Sequence, residues 1–281
     1  MRVLDSHLHL IDPAVLSYDW LDDRLRRRFG PEELARATAA APTAERRAFV
    51  AVQAECAPEQ SLAEVDWLVS VAADAAIVGI VARAPLERGE RVTEALDELR
   101  SRPLVVGVRR LLQSEPDGFS ATPEFRAGAQ AVAEAGLVFD ACVRDRQLPH
   151  VIALADALPE LRIVLDHLGK PAVGSAERPK GPDAAWLRDV RALAERPNVA
   201  CKASGLPAES AGGWAPAQLR PFLDAALDAF GADRLLFGGD WPVSEPYGTW
   251  ARCVAEWTAG LSAAEADAIL WANAERVYRI A

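Results

Sequence analysis

The chain has 281 residues, and with 51% hydrophobic and 26% charged residues its composition is that of a folded globular protein, not a disordered one. A formal net charge of −10 at pH 7 argues against nucleic acid as a partner, because nucleic-acid-binding proteins usually carry a basic surface. No apolar run approaches the ~18 residues of a transmembrane helix, so we expect a small-molecule ligand and no membrane partner.

The cysteines and the first residues indicate the compartment. Cys56, Cys142, Cys201 and Cys253 lie far apart and form neither a zinc-finger spacing nor a disulfide framework. The first residues lack the basic start and the apolar run of a signal peptide. We therefore expect a cytoplasmic protein, either a monomer or a homo-oligomer.

Short apolar, β-branched segments alternate with helical patterns along the whole chain, which is typical of βα units. We predict eight strands from these segments, at 3–10, 49–56, 75–83, 104–111, 137–143, 162–168, 199–206 and 234–241.

Helix signals separate the predicted strands. Ser61 and Glu64 have the spacing of a capping box, and Thr122 stands before a proline as the N-cap of a second helix would. Apolar residues at i, i+3, i+4 and i+7 predict a helix over 219–230, which Gly231 ends. These apolar faces need a sheet to pack against.

Strands that are nearly continuous apolar runs, with helices between them, indicate a parallel sheet covered on its faces. We predict one α/β domain over 1–281, a closed (β/α)8 TIM barrel. The alternative is an open doubly wound sheet, which normally carries a GxGxxG motif after its first strand, and that motif is absent here. Segments 11–48 and 169–184 interrupt the pattern and are predicted to be surface excursions that shape the pocket.

Barrel enzymes place their active sites at the carboxyl ends of the strands, so polar residues there point to a site. Six predicted strands end in such residues, namely His7 and His9, Glu55, Arg109, Asp166 with His167, Lys202, and Asp240. Because these ends share one rim of a barrel, we expect the side chains to converge on one pocket.

The pair His7 and His9 has a spacing with chemical meaning. Residues i and i+2 of a strand project from the same face, so both imidazoles can hold one centre, either a divalent metal or a substrate oxygen. The pair alone is a weak signal. It gains weight because His167 and Asp240 occupy equivalent places on other strands.

Each of these residues also has an ordinary structural explanation. His167 could bond a main-chain carbonyl in the core, and Asp240 could cap the turn that it closes. Arg109 and Lys202 could form ion pairs, and Glu55 could pack behind the first strand. The bulky apolar side chains that fit either a pocket floor or the core are Trp20, Trp214 and Trp241.

Four segments carry a family resemblance. They are DSHLHLIDP at 5–13, SYDWL at 17–21, VLDHLGKP at 164–171 and FGGDWPVSEP at 237–246. Together they resemble the metal-associated amidohydrolase superfamily, and within it the amidohydrolase 2 branch that includes sugar lactonases and 2-pyrone-4,6-dicarboxylate lactonase. The resemblance runs from residue 3 to the last helix.

The resemblance implies a distorted TIM barrel in which Asp240 is the general base that activates water. His7, His9 and His167 would then either ligate one divalent ion or hydrogen-bond the lactone carbonyl without an ion. The implied ion is Zn2+, held by His7, His9 and Asp240, with Glu55 as a further ligand to consider.

The chain departs from the metal-dense members of the superfamily at one place. Arg109 and Arg110 stand on strand four where those members carry a carbamylated lysine, and no second histidine lies near His167. We therefore expect a mononuclear centre or none.

The predicted function is hydrolysis of a small lactone ring, such as a sugar aldono-lactone, with Arg109, Lys202 and Trp241 binding the substrate. One alternative is a metal-dependent decarboxylase of an aromatic or unsaturated acid, in which Arg109 would hold the carboxylate. The other is a barrel that binds a small molecule without catalysis.

Overall fold

Eight parallel strands form one sheet whose spatial order is the order of the chain. The computed structural model describes residues 1–280. The strands are β1 (Arg2–Leu8), β2 (Arg46–Val52), β3 (Ile77–Arg83), β4 (Val105–Arg109), β5 (Val138–Ala141), β6 (Ile163–Leu165), β7 (Val199–Ala203) and β8 (Leu235–Phe237).

The sheet closes on itself between its first and last strands. Leu8 bridges Trp241 in parallel, and the Asp240 amide donates to the His7 carbonyl at 2.7 Å. The predicted TIM barrel is confirmed, and the open doubly wound sheet is excluded because its edge strands would remain unpaired.

Helices surround the barrel and follow its strands. They are α1 (Pro31–Thr38), α2 (Ser61–Val71), α3 (Thr93–Arg100), α4 (Pro123–Glu134), α5 (Leu148–Ala157), α6 (Ala184–Ala194), α7 (Pro216–Phe230), α8 (Tyr247–Thr258), α9 (Ala263–Asp267) and α10 (Asn273–Tyr278). Within residues 1–280, none of the helices has both the length and the apolar character needed to cross a membrane.

The predicted helix signals had different outcomes. Thr122 caps α4, because its Oγ1 accepts a hydrogen bond from the Phe125 amide at 3.3 Å. The capping box at Ser61 is wrong. Glu64 points inward, is 1% exposed, and accepts from the Ala54 amide at 2.7 Å, so its carboxylate ties α2 to the segment that follows β2.

Apolar side chains fill the amino-terminal end of the barrel. Strand residues in this cluster, among them Val50 and Val164, pack against Trp271 and Tyr278 from the last helical segment. These packed side chains therefore close the interior of the barrel at its amino-terminal end.

Segment 11–48 is more ordered and more buried than a surface excursion. Ile11 and Phe29 exchange two main-chain hydrogen bonds, of 3.1 and 2.7 Å, and both side chains are buried. The segment contains α1, and β2 begins within it, at Arg46. Segment 169–184 is mostly exposed between 175 and 182, as predicted.

Candidate active site

Four side chains that the sequence singled out meet at the carboxyl end of the barrel. The Oδ1 atom of Asp240 lies 3.6 Å from Nε2 of His9 and 3.8 Å from Nε2 of both His7 and His167. All four residues are buried, with exposures between 0 and 5%. Residues that are more than 150 positions apart in the chain therefore surround one carboxylate.

The local backbone aims two of these side chains inward. His167 (φ 55°) and Asp240 (φ 51°) adopt the left-handed region in the turns that follow β6 and β8. Such a conformation costs a non-glycine residue of the order of 1–3 kcal/mol and is concentrated at functional sites. In this conformation the two side chains meet, with Nε2 of His167 3.8 Å from Oδ1 of Asp240.

The first strand supplies the other two imidazoles. Nε2 of His7 lies 3.2 Å from Nε2 of His9, as the i, i+2 spacing predicts for one face of a strand. Nδ1 of His9 donates to the Val52 carbonyl at 2.8 Å. Because a carbonyl only accepts, this bond places the His9 proton on Nδ1 and leaves the Nε2 lone pair facing the cluster.

Two further contacts orient the remaining imidazoles. Nδ1 of His167 lies 2.8 Å from the hydroxyl of Ser204. Nδ1 of His7 faces a donor, Nζ of Lys202 at 3.0 Å, and an acceptor, Oδ1 of Asp166 at 3.2 Å. Either tautomer of His7 therefore has a partner at Nδ1, so His7 can present either a proton or a lone pair at Nε2.

The nitrogen and oxygen donors fit one divalent ion. His7, His9 and Asp240 place their ligand atoms within 4.8 Å of one another, and His7, Asp166 and His167 form a second such group. Ligand atoms around a tetrahedral zinc ion lie about 3.3–3.5 Å apart, close to the spacings found here. Because both groups share His7, the arrangement suits one ion and not two.

The electrostatics of the cluster favour a neutral His7 and a neutral His167 beside an ionised Asp240. Burial would raise the pKa of Asp240, but the imidazoles, His167 foremost, outweigh burial and hold that pKa well below its usual range. Burial lowers the pKa of His167 to about 4, and it places the pKa of His7 well below 6.5. Ser244 also donates to Oδ2 of Asp240 at 2.7 Å.

Lys202 lies behind the cluster, not on the cavity wall. Its ammonium group contacts His7 and the carboxylates of Asp140 and Asp166, and all four side chains are fully buried. Burial lowers the pKa of Lys202, but the two carboxylates outweigh burial and raise it. The structure thus corrects the expected substrate contact, because this ammonium is fully buried, hydrogen-bonds to His7 and Asp140, and forms an ion pair with Asp166.

Arg109 reaches the cavity but is held by protein groups. One guanidinium nitrogen donates to the Gln53 carbonyl at 2.6 Å, and the other donates to Asp166 at 3.4 Å. That second nitrogen also lies 3.4 Å from Nε2 of His7. Arg109 is therefore a fixed positive charge beside the imidazoles.

The tryptophans divide between the cavity and the core. Trp241 is 2% exposed and packs edge-on against Phe29, with ring centres 5.3 Å apart, so its predicted contact with substrate is not supported. Trp20 lines the cavity instead, anchored by a 2.8 Å bond from its Nε1 to the Ala54 carbonyl. Trp214 packs against Trp250.

His9, His167 and Asp240 line the floor of a cavity of about 460 Å3, and His7 is fully buried behind them. Glu55 lines this cavity but pairs with Arg83 at 3.6 Å and stands outside both candidate metal groups. The remaining wall is mixed, with apolar residues such as Leu111 and Val243 beside the polar Gln113, Ser114, Glu115, Lys170 and Glu209. A mixed wall above a charged floor suits a small ligand with several hydrogen-bonding groups.

Sequence analysis missed the residues that support the cluster. Asp140 lies inside an apolar strand, bonded to Lys202 and to the hydroxyl of Tyr278 at 2.8 Å. Ser204 is also absent from the predicted set. A charged residue within an apolar strand signals that a buried partner exists, because an unpaired buried charge is costly, but the signal does not name the partner.

The fold and the cluster together define a TIM-barrel enzyme with imidazole and carboxylate groups at the carboxyl ends of its strands. The chain belongs to the amidohydrolase family, since the family model described as Amidohydrolase matches residues 4–280. The resemblance seen in the sequence motifs is thereby confirmed.

Individual relatives match along nearly the whole chain. An L-fucono-1,5-lactonase of Burkholderia multivorans is 34% identical over 291 residues, covering 99% of this chain and 96% of that protein. An L-fucono-1,5-lactonase of Burkholderia ambifaria is 33% identical over 259 residues, covering 88% and 84%. A crystal structure of a Burkholderia multivorans amidohydrolase with bound zinc matches with a TM-score of 0.85 at 34% identity, covering 100% of both chains.

Proposed function

We propose that the chain is a lactonase that hydrolyses the ring ester of a sugar aldono-lactone, with L-fucono-1,5-lactone as the first substrate to test. The observation that carries the proposal is the ionised Asp240 among three imidazoles on the cavity floor. The family and the two lactonase relatives support it.

The reaction needs a base, a stabilised oxyanion and an acid. Water adds to the carbonyl carbon of the lactone while one of its protons passes to Oδ1 of Asp240. The ring C–O bond then breaks, and the same proton is returned to the leaving ring oxygen, which gives the open hydroxy acid. Asp240 can both accept the proton from water and return it to the ring oxygen, because its carboxylate lines the cavity in which the lactone would bind.

Neighbouring donors stabilise the negative charge that develops on the carbonyl oxygen. His167 can present an N–H group from the cavity wall, and Arg109 adds a fixed positive charge. Donors fixed in this way are each worth about 2.7–4 kcal/mol at acyl-transfer sites. The contact from Ser204 holds His167 in position for this task.

Asp240 alone is a weak base, because its pKa lies well below its usual range and proton transfer is most effective when the two pKa values are close. We therefore propose that His7, His9 and Asp240 hold one divalent ion, with Zn2+ as the candidate. Such an ion would act as a Lewis acid toward the carbonyl and lower the pKa of water. The residues argue for a mononuclear site, since the two candidate groups share His7.

The direct test is Asp240→Asn, assayed with L-fucono-1,5-lactone and a pH indicator that reports the released acid. We expect kcat to fall by about 10²–10⁴-fold while the thermal midpoint stays close to that of the wild type. The matched control is Asp228→Asn on the exposed side of α7, which should leave turnover unchanged. Turnover at the wild-type rate by Asp240→Asn would remove this carboxylate from the mechanism.

The same assay separates the alternative functions. Lactone hydrolysis releases acid without gas, whereas a decarboxylase acting on an aromatic acid consumes a proton and releases carbon dioxide. A binding protein would be inactive across a panel of lactones at every pH. Metal analysis of the purified protein, with assays before and after chelation, tests the proposed ion in the same series.

A further inference from the structure

The barrel has a second cavity at its amino-terminal end, opposite the candidate active site. Its volume is about 280 Å3, and it lies where β6, β7 and β8 begin, beside α10. Four arginines line it, which are Arg162, Arg234, Arg276 and Arg279. The chain as a whole has a net charge of −10, so four cations around one small cavity are unusual for this protein.

Main-chain carbonyl groups fix three of these guanidinium groups in place, those of Arg162, Arg234 and Arg276. Arg162 donates to the Val277 carbonyl at 2.7 Å, and Arg234 donates to the Val199 carbonyl at 3.3 Å. Carbonyl oxygens accept these hydrogen bonds but bring no net negative charge. These contacts therefore position the guanidinium groups without pairing them with a carboxylate.

No salt bridge joins any of the four arginines to a carboxylate within residues 1–280. Burial, and after it the charge of Arg279, lowers the pKa of Arg162. By contrast, Arg102 pairs with Asp66 at 2.8 Å and its pKa is raised. The cavity thus holds four arginines close together, none of which has a salt-bridge partner such as Asp66 provides for Arg102.

We propose that this cavity binds a small anion that carries a phosphate group. Guanidinium groups bind phosphate through paired N–H donors, and a tetrahedral phosphate offers oxygens to donors that approach from several sides. Here the donors come from the starts of β6 and β8 and from the last helix. The volume suits inorganic phosphate, pyrophosphate or a sugar phosphate.

The proposal is independent of the lactonase activity and can be tested by stability alone. A ligand that binds only the folded protein raises its stability by RT ln(1 + [L]/Kd). We expect the thermal midpoint to rise with the logarithm of phosphate or pyrophosphate concentration at constant ionic strength. Calorimetric titration with pyrophosphate should give a saturable binding curve.

Arg279 is the best residue to change, because it is exposed and its substitution leaves the carbonyl contacts of Arg162 and Arg234 intact. Arg279→Gln should weaken the apparent affinity for pyrophosphate by about tenfold, as expected for one lost charged contact of about 1.4 kcal/mol. The matched control is Arg91→Gln, an exposed arginine before α3, which should bind like the wild type.

Reversing the charge at Arg279 gives a second test, in which the thermal midpoint without phosphate should change in the opposite direction to phosphate binding. Arg279→Glu brings a carboxylate next to Arg162, so its midpoint without phosphate should exceed that of Arg279→Gln, and its response to phosphate should vanish. An equal rise of the midpoint in the wild type and in both Arg279 variants would be a general salt effect and would overturn the proposal. Tighter binding of citrate than of pyrophosphate would overturn the assignment to phosphate.

Discussion

Gly205 lies directly against the imidazole of His167 and allows a sharp test of the cluster. Its φ is +69°, and a Cβ placed on it would overlap Nδ1 and Cγ of that ring and lie only 2.7 Å from His167 Cβ. Since unbonded carbon atoms keep about 3.5 Å apart, Gly205→Ala must push His167 away by about 1 Å.

The expected loss follows from that displacement. A misplacement of 1 Å at a catalytic group costs about 10²-fold in rate, which corresponds to about 2.7 kcal/mol of transition-state stabilisation. The positive φ adds a separate cost of about 1–2 kcal/mol to stability, because alanine is strained in the left-handed region. Activity and stability must therefore be measured on the same preparation.

The assay compares kcat/KM for L-fucono-1,5-lactone and the thermal midpoint of two variants. Gly118→Ala is the control, because Gly118 also has a positive φ (+85°) but a Cβ there meets nothing within 4 Å. Both variants should lose some stability, and only Gly205→Ala should lose about 10²-fold in kcat/KM. Wild-type kcat/KM in a folded Gly205→Ala would refute the reasoning that places His167 in the mechanism.

Three further substitutions test the surroundings of the site. Ser204→Ala removes the hydroxyl at Nδ1 of His167, so kcat/KM should fall by about 10-fold or more with little change in the thermal midpoint; an unchanged kcat/KM would contradict this. Burial raises the pKa of Glu64 to about 7, so the wild type loses stability as the pH rises from about 4.5 to 7, when the buried carboxyl must ionise. Urea unfolding should therefore show Glu64→Gln gaining up to about 3 kcal/mol over the wild type at pH 8 and almost nothing at pH 4.5, and a pH-independent difference would exclude this cause. Lys202→Met leaves the buried carboxylate of Asp140 without its cation and leaves Asp166 with Arg109 alone, so the free energy of unfolding should fall by about 3–5 kcal/mol in the same assay; an unchanged urea midpoint would show that Asp140 finds another partner.

The barrel fold and the four central residues of the site follow from local properties of the sequence. Apolar strands alternating with helices predict the barrel, because parallel strands require covered faces. A strand repeats every two residues, so His7 and His9 had to share a face. Parallel strands bring their carboxyl ends to one rim, and this rule alone places His167 and Asp240 with them.

The tertiary structure decided which polar groups became partners. Lys202 ends a strand as His7 does, yet it turns to Asp140 and Asp166 behind the cavity. Glu64 has the spacing of a cap but is buried instead. Both outcomes depend on the register of neighbouring strands and on how deeply each side chain is buried. A local sequence pattern predicts neither of these.

The arginine cavity is also a feature that the tertiary structure decided. Arg162, Arg234, Arg276 and Arg279 are scattered in the sequence and belong to no motif. They meet because the starts of β6 and β8 and the last helix share the amino-terminal end of the barrel. The sequence determined the strands and their polar ends because those follow from the repeat of a single element. Closure of the barrel decided the ion pairs and the second cavity, because those depend on several elements at once.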